Sequence, residues 1–179
     1  MKKFVVLGNP IDHSLSPQIH FEFAKQSNIS LTYEKKIVPI NSFELIISEL
    51  KNNDFSGANV TLPFKSNAFA IAQDKSKEVI ETHSANTLTF LDDHIKADST
   101  DGMGLTNDLE NKIGSITNAN ILLLGAGGAA NAVIPALHRS NINQLFLWNR
   151  TIHKSHDMQL YWSKKYSNIF VMENINLSD

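Results

Sequence analysis

Polar residues recur in the first part of this chain at the points where apolar runs give out. They are Ser14 and Ser16, then Asn59, Thr61 and Lys65, then Asn86, then Thr100 and Asp101. Lys65 and Asp101 are the reactive pair among them. An ammonium can protonate a nascent alkoxide as hydride arrives at a ketone, and a carboxylate can orient that group or share the proton. The hydroxyls and amides around them suit a polyhydroxylated acid. Taken singly, each has an ordinary structural use: Ser16 and Asp101 as helix caps, Lys65 as a solvated cation. Their shared position at strand ends, where open α/β sheets receive ligands, makes them a set.

Hydride must come from elsewhere, because no side chain supplies it. The run Gly125-Ala126-Gly127-Gly128-Ala129-Ala130 follows an apolar segment, 120–124, that reads as a parallel strand covered on both faces. Gly125 permits a tight turn, Gly127 lets backbone approach a pyrophosphate, and Ala130 is the small residue where helix packs on strand. Phosphates would then meet a helix N-terminus. A fold that reads NAD places Asp or Glu about twenty residues further on, for the ribose 2′-hydroxyl. Here the second strand, 144–148, runs into Asn149-Arg150-Thr151. Arg150 is one of two arginines in the chain, and its planar fork of donors matches a 2′-phosphate. Lys154, one helical turn on, adds positive charge. The expected NADP contacts are therefore Gly125, Ala126, Gly127, Gly128, Ala129, Asn149, Arg150, Thr151 and Lys154.

The positioning elements follow from periodicity. Residues 4–7 read as a buried strand. Ser16-Pro17 supplies an N-cap and first-turn proline for a helix to about 25, and 31–38 alternates as a second strand. Asn41 with Glu44 reads as a capping box for a helix through 50. A short strand at 58–61, a helical stretch from Pro63, and a hairpin of 87–91 with 94–97 around Asp92-Asp93 complete a mixed sheet. A helix over 102–112 leads to the glycine-rich unit, where Pro135 is expected to kink the following helix. The expectation is an α/β chain: residues 1–101 as a substrate-binding catalytic lobe, and 102–179 as an incomplete Rossmann-like NADP-binding lobe, with a cleft between them.

Composition narrows the partners. With 179 residues, 42% of them hydrophobic, a net charge of −2 and no basic block, the chain has a real core. It offers no electrostatic case for nucleic acid or a membrane surface, so a small-molecule partner is expected. Absence of cysteine excludes thiol catalysis and cysteine-ligated zinc, and the seven histidines lack a metal-ligand spacing, so no metal is expected. The apolar start before Gly8-Asn9-Pro10 is too short for a signal peptide or spanning helix, which makes the cytoplasm the expected location.

Several separate runs resemble the shikimate dehydrogenases: Gly8-Asn9-Pro10-Ile11-Asp12-His13-Ser14-Leu15-Ser16-Pro17, Asn59-Val60-Thr61-Leu62-Pro63-Phe64-Lys65, Ala85-Asn86-Thr87, Thr100-Asp101-Gly102-Met103-Gly104, the glycine turn and Asn149-Arg150-Thr151. The resemblance implies reduction of 3-dehydroshikimate to shikimate with NADPH, in aromatic amino-acid synthesis. It implies substrate contacts at Ser14, Ser16, Thr61, Lys65, Asn86 and Asp101, with Lys65 and Asp101 as the catalytic pair. Phe21, His83 and Ser99 depart from the family pattern, standing where Asn, Gly and Asn are common.

A dinucleotide fold uses two βαβαβ halves, and the residues after Asn118 suffice for one. The chain reaches an apolar run at 169–172 and then Asn176-Leu177-Ser178-Asp179. An unfinished parallel sheet is expected to expose an edge and invite pairing with another chain, for which a homodimer is the simplest form. Two alternatives stand beside the reductase: a catalytically silent homologue that retains ligand binding, and a quinate/shikimate dehydrogenase.

Overall fold

Two separate apolar clusters organise the chain, and each gathers its own sheet. The computed structural model describes residues 1–174; the expected terminal run Asn176-Leu177-Ser178-Asp179 lies outside the described residues. The chain divides into two compact units, Met1–Ser99 and a second beginning at Thr100, so Asp101 goes with the second.

The first unit runs β1 (Lys2–Gly8), α1 (Ser16–Gln26), β2 (Leu31–Ile37), α2 (Phe43–Asn52), β3 (Phe55–Val60), α3 (Lys65–Ile71), β4 (Asp74–Lys75), α4 (Lys77–Thr82), β5 (Thr87–Phe90) and β6 (Ile95–Asp98). Its six strands lie in the order β2-β1-β3-β5-β6-β4. β1 is parallel to β2 and β3, while β5 is antiparallel to both β3 and β6. Strand alternation sorts the side chains. Val5 and Leu7 of β1 with Ala58 and Val60 of β3 pack on Phe43, Ile46, Ile47 and Leu50 of α2 and Ala68 of α3. Phe43 stacks on Phe64 at 5.3 Å between centroids. Gly57 is required by the pairing of β3 with β5: a Cβ there would lie 2.4 Å from the Leu88 carbonyl oxygen.

Several local details differ from the expectations. Ser16 is the first helical residue and Leu15 the cap of α1, and α2 opens after Ser42 rather than on an Asn41–Glu44 box; neither cap makes a side-chain bond. β4 and α4 escape a reading by periodicity, because two and six residues are too short to display a period. α4 opens on Ser76, whose hydroxyl accepts from the Val79 N–H at 3.4 Å.

The second unit comprises α5 (Asp101–Ile113), β7 (Asn120–Leu124), α6 (Gly128–Arg139), β8 (Gln144–Trp148), α7 (Ile152–Trp162) and β9 (Ile169–Val171). Its three strands are parallel in the order β7-β8-β9, the 3-2-1 half of a dinucleotide fold read from the far side. Leu145 and Leu147 of β8 are fully buried against Val133, Ile134 and Leu137 of α6, Trp162 of α7 and Ile169. Pro135 is buried inside α6, and the helix runs on through it to Arg139. β7 is not covered on both faces as its apolar run suggested. It pairs only with β8 among the described residues, and Leu122 and Leu124 are 39% and 60% exposed. Residues 120, 122 and 124 leave the same face of the strand, and among the described residues that face stays exposed.

Two buried polar groups in this unit make testable demands. The Ser155 hydroxyl in α7 is wholly buried and has no hydrogen-bond partner among the described residues. Ser155→Ala should therefore raise stability by about 1 kcal/mol, since an orphaned hydroxyl is removed without opening a cavity; an unchanged or lower denaturation midpoint in urea would refute this. His138 stacks on Tyr166 at 3.9 Å, its Nε2 buried without a partner among the described residues. Burial pushes its imidazole down to about 4. The unfolded chain protonates it near 6.5, so between about pH 6.5 and 4 the unfolded state binds the extra proton and stability is lost as the pH drops. His138→Phe should flatten that part of the pH–stability curve, and an identical curve would show that His138 does not contribute.

Candidate active site

The carboxyl ends of β1 and β3 are tied together by backbone bonds. Thr61 N–H donates to the Leu7 carbonyl at 2.9 Å and Asn9 N–H to that of Leu62 at 3.0 Å. Antiparallel β5 starts where β3 stops, so Asn86 does not end a strand but immediately precedes one. Val60 N–H donates to the Asn86 carbonyl at 2.8 Å, and Ala85 N–H to that of Lys65, the first residue of α3, at 3.0 Å. Thr61, Lys65 and Asn86 are thus drawn to one end of the sheet. The loop after β1 is fixed by Asn9 Nδ2 on the Val38 carbonyl at 3.0 Å and by Lys35 Nζ on that of Asp12 at 2.6 Å.

Side chains at this end bond to one another. Ser14 Oγ donates to Ser16 Oγ at 3.1 Å, and Ser16 N–H returns to Ser14 Oγ at 3.3 Å. Asn59 Nδ2 donates to Thr87 Oγ1 at 3.2 Å, and Thr87 Oγ1 donates to Asn86 Oδ1 at 2.8 Å. Between these groups stands a residue that sequence reasoning missed, Tyr33 of β2. Its hydroxyl donates to Asn59 Oδ1 at 2.7 Å. Burial pushes its phenol up to about 12. Its ring stacks on His20 of α1 at 4.3 Å, and burial holds that imidazole below its ordinary value. An aromatic residue in an alternating strand carries no chemical signature, so the sequence offered no means of separating Tyr33 from core.

Thr100 precedes α5, and Asp101 is its first residue, where a carboxylate meets the positive end of the helix dipole. The three departures from the family pattern take different forms. Phe21 is 61% exposed on α1. His83 ends α4 in the left-handed region at φ 50°, the conformation that explains a glycine there, and stacks on Phe69 at 4.8 Å. Ser99 is buried, and its hydroxyl has no hydrogen-bond partner among the described residues.

In the second unit, Gly125 turns off β7 at φ 113°, its N–H donating to the Trp148 carbonyl at 2.7 Å. Asn149 clamps that turn to the end of β8: its Oδ1 accepts from Ala126 N–H at 3.2 Å and its Nδ2 donates to the Thr151 carbonyl at 2.9 Å. α6 then begins at Gly128, and neither Gly127 nor Gly128 has an atom within 4 Å of where a Cβ would stand, so the helix N-terminus is open to a phosphate. Ala130 is buried near the start of α6. Arg150 and Lys154 are exposed, and neither side chain makes an ion pair or hydrogen bond among the described residues. Open glycines, a helix start and two unengaged cations fit a dinucleotide carrying a 2′-phosphate. Each end of the Asn149 amide makes one bond to backbone, which orders the turn.

Comparison with known proteins agrees with this geometry. Residues 6–88 match the shikimate dehydrogenase substrate binding domain, and residues 108–177 match the shikimate / quinate 5-dehydrogenase family. The shikimate dehydrogenase (NADP(+)) of Shewanella halifaxensis is 44% identical over 156 residues, covering 86% of this chain and 56% of its own length. That of Methylobacillus flagellatus is 39% identical over 159 residues, covering 88% and 59%. The shikimate 5-dehydrogenase of Thermus thermophilus, solved with NADP(H) and shikimate, superposes with a TM-score of 0.85 at 28% identity, over 96% of this chain and 63% of that one. This chain therefore spans less than two thirds of the length of these relatives. On the joint match of both its units, the chain belongs to the shikimate dehydrogenase family.

Proposed function

We propose that this chain carries the NADPH-dependent shikimate dehydrogenase reaction, reducing 3-dehydroshikimate to shikimate. The observation that carries the reading is the bonded polar set at one end of the six-stranded sheet, which includes Ser14, Ser16 and Asn86, three of the residues that the family resemblance assigns to substrate. In this reading Ser14, Ser16, Thr61, Lys65, Asn86 and Asp101 hold the substrate and the glycine turn with Arg150, Thr151 and Lys154 holds NADP. Bound NADPH supplies the hydride that reduces the ketone carbon. Ser14, Ser16, Thr61 and Asn86 hold the ring acid through its oxygens. Lys65 gives its proton to the developing alkoxide, and Asp101 orients that oxygen and shares the proton. Small-molecule substrate, cytoplasmic location and homodimer formation complete the reading; no described helix is long and apolar enough to cross a membrane.

Calorimetry with shikimate and NADP alongside a turnover assay separates this reading from ligand binding without turnover.

With 3-dehydroshikimate and NADPH, the chain should consume NADPH, and Lys65→Ala and Asp101→Asn should each lower kcat by about 100-fold or more. Full activity in both variants would remove their assigned roles. Arg150→Ala should weaken NADPH binding by about 10- to 100-fold, the worth of hydrogen bonds to a charged phosphate, and leave NADH binding unchanged. Equal losses for both nucleotides would show that Arg150 does not read the 2′-phosphate.

A further inference from the structure

Tyr33 lies on the sheet's edge strand, yet its hydroxyl reaches Asn59 two strands away. The register explains how. Tyr33 pairs with Phe4, and Asn59 with Val6, so both leave the same face of the sheet. The His20 ring lies flat against Tyr33 on that face, 11° from parallel, which holds the phenol along the sheet.

The hydrogen bonds around it run in one direction. The phenol oxygen commits its only proton to Asn59 Oδ1. With Oδ1 taken, the Asn59 amide has one orientation, its Nδ2 toward the Asn86 carbonyl and Thr87 Oγ1. Thr87 in turn donates its proton to Asn86 Oδ1. The donor and acceptor ends of the Asn86 amide are thereby assigned from Tyr33 outward.

We propose that Tyr33 is a positioning residue of the substrate site: its hydroxyl orients the Asn59 amide and, through it, the Thr87–Asn86 pair. It fixes which end of each amide faces the ligand, without touching the ligand. The proposal rests on the substrate reading above, in which Ser14, Ser16 and Asn86 contact the ring acid. Chains of hydrogen bonds polarise one another and are coupled, so cutting one link disturbs groups at both ends.

The test is calorimetric titration of the full chain with shikimate, and separately with NADP. Tyr33→Phe keeps the ring on His20 and removes only the hydroxyl. It should weaken shikimate binding by about 5- to 20-fold and leave NADP binding unchanged. Thr87→Val cuts the same chain beyond Asn59 and should weaken shikimate binding similarly. The double variant should lose less than the product of the two single losses, because both break one connected network. A purely structural effect would instead give losses that multiply. Unchanged shikimate affinity in Tyr33→Phe, or multiplying losses, overturns the proposal while leaving the substrate reading intact. Should Tyr33→Phe fail to fold by circular dichroism, Thr87→Val decides alone, and unchanged affinity there is the overturning result. Absence of shikimate binding by the unsubstituted chain overturns the substrate reading, and this inference with it.

Discussion

The pairing of Asn59 with Thr87 across the antiparallel junction of β3 and β5 is the constraint on which the candidate site depends. It sets Asn86 immediately before a strand that begins where β3 ends, and it places the Thr87 hydroxyl between two amides. A slip of one residue would turn Asn59 and Thr87 to the opposite face, among the apolar side chains of the α2 layer. Gly57 guards against that slip, because its hydrogen is all that fits against the Leu88 carbonyl. The apolar face enforces the same register, since Ala58, Val60 and Leu88 are buried only in this alignment.

A comparable constraint governs the second unit on a smaller scale. Leu124 pairs with Trp148, so the two parallel strands end level and the chain leaves both at the same height. The Gly125 N–H then meets the Trp148 carbonyl, and the Asn149 amide reaches back to Ala126. A glycine-rich turn is floppy in isolation; here one carboxamide with both ends engaged holds it against the end of the neighbouring strand. The ordering is sustained by the well-packed β8 layer, whose leucines are fully buried.

The departures from the family pattern are local and show how much the fold tolerates. His83 occupies a left-handed cap that suits glycine, and the contact of its ring with Phe69 offsets part of the backbone strain. Ser99 leaves a buried hydroxyl without a partner among the described residues, next to the start of α5, whereas its own N–H is satisfied by Asp98 at 2.7 Å. Phe21 stands on an exposed surface, and nothing in the structure explains it.

What is readable from residue order is what depends on short stretches of chain. The glycines of the turn, Arg150 in place of an acid, the hairpin around Asp92-Asp93 and the alternation of β2 are all set by local stereochemistry and period. Tyr33 is not readable in this way, because its role requires a strand at the sheet edge, an asparagine two strands away and a histidine on a helix above, which no spacing in the sequence encodes. The exposure of β7 is hidden for the same reason: an apolar run reports that burial is wanted, and only the layers packed on the faces of the sheet decide whether it is supplied. Thus the sequence by itself determined the chemical types available and most of the elements that carry them. The tertiary structure alone decided which polar group donates to which, because hydrogen-bond partners are chosen by strand pairing between residues far apart in the chain.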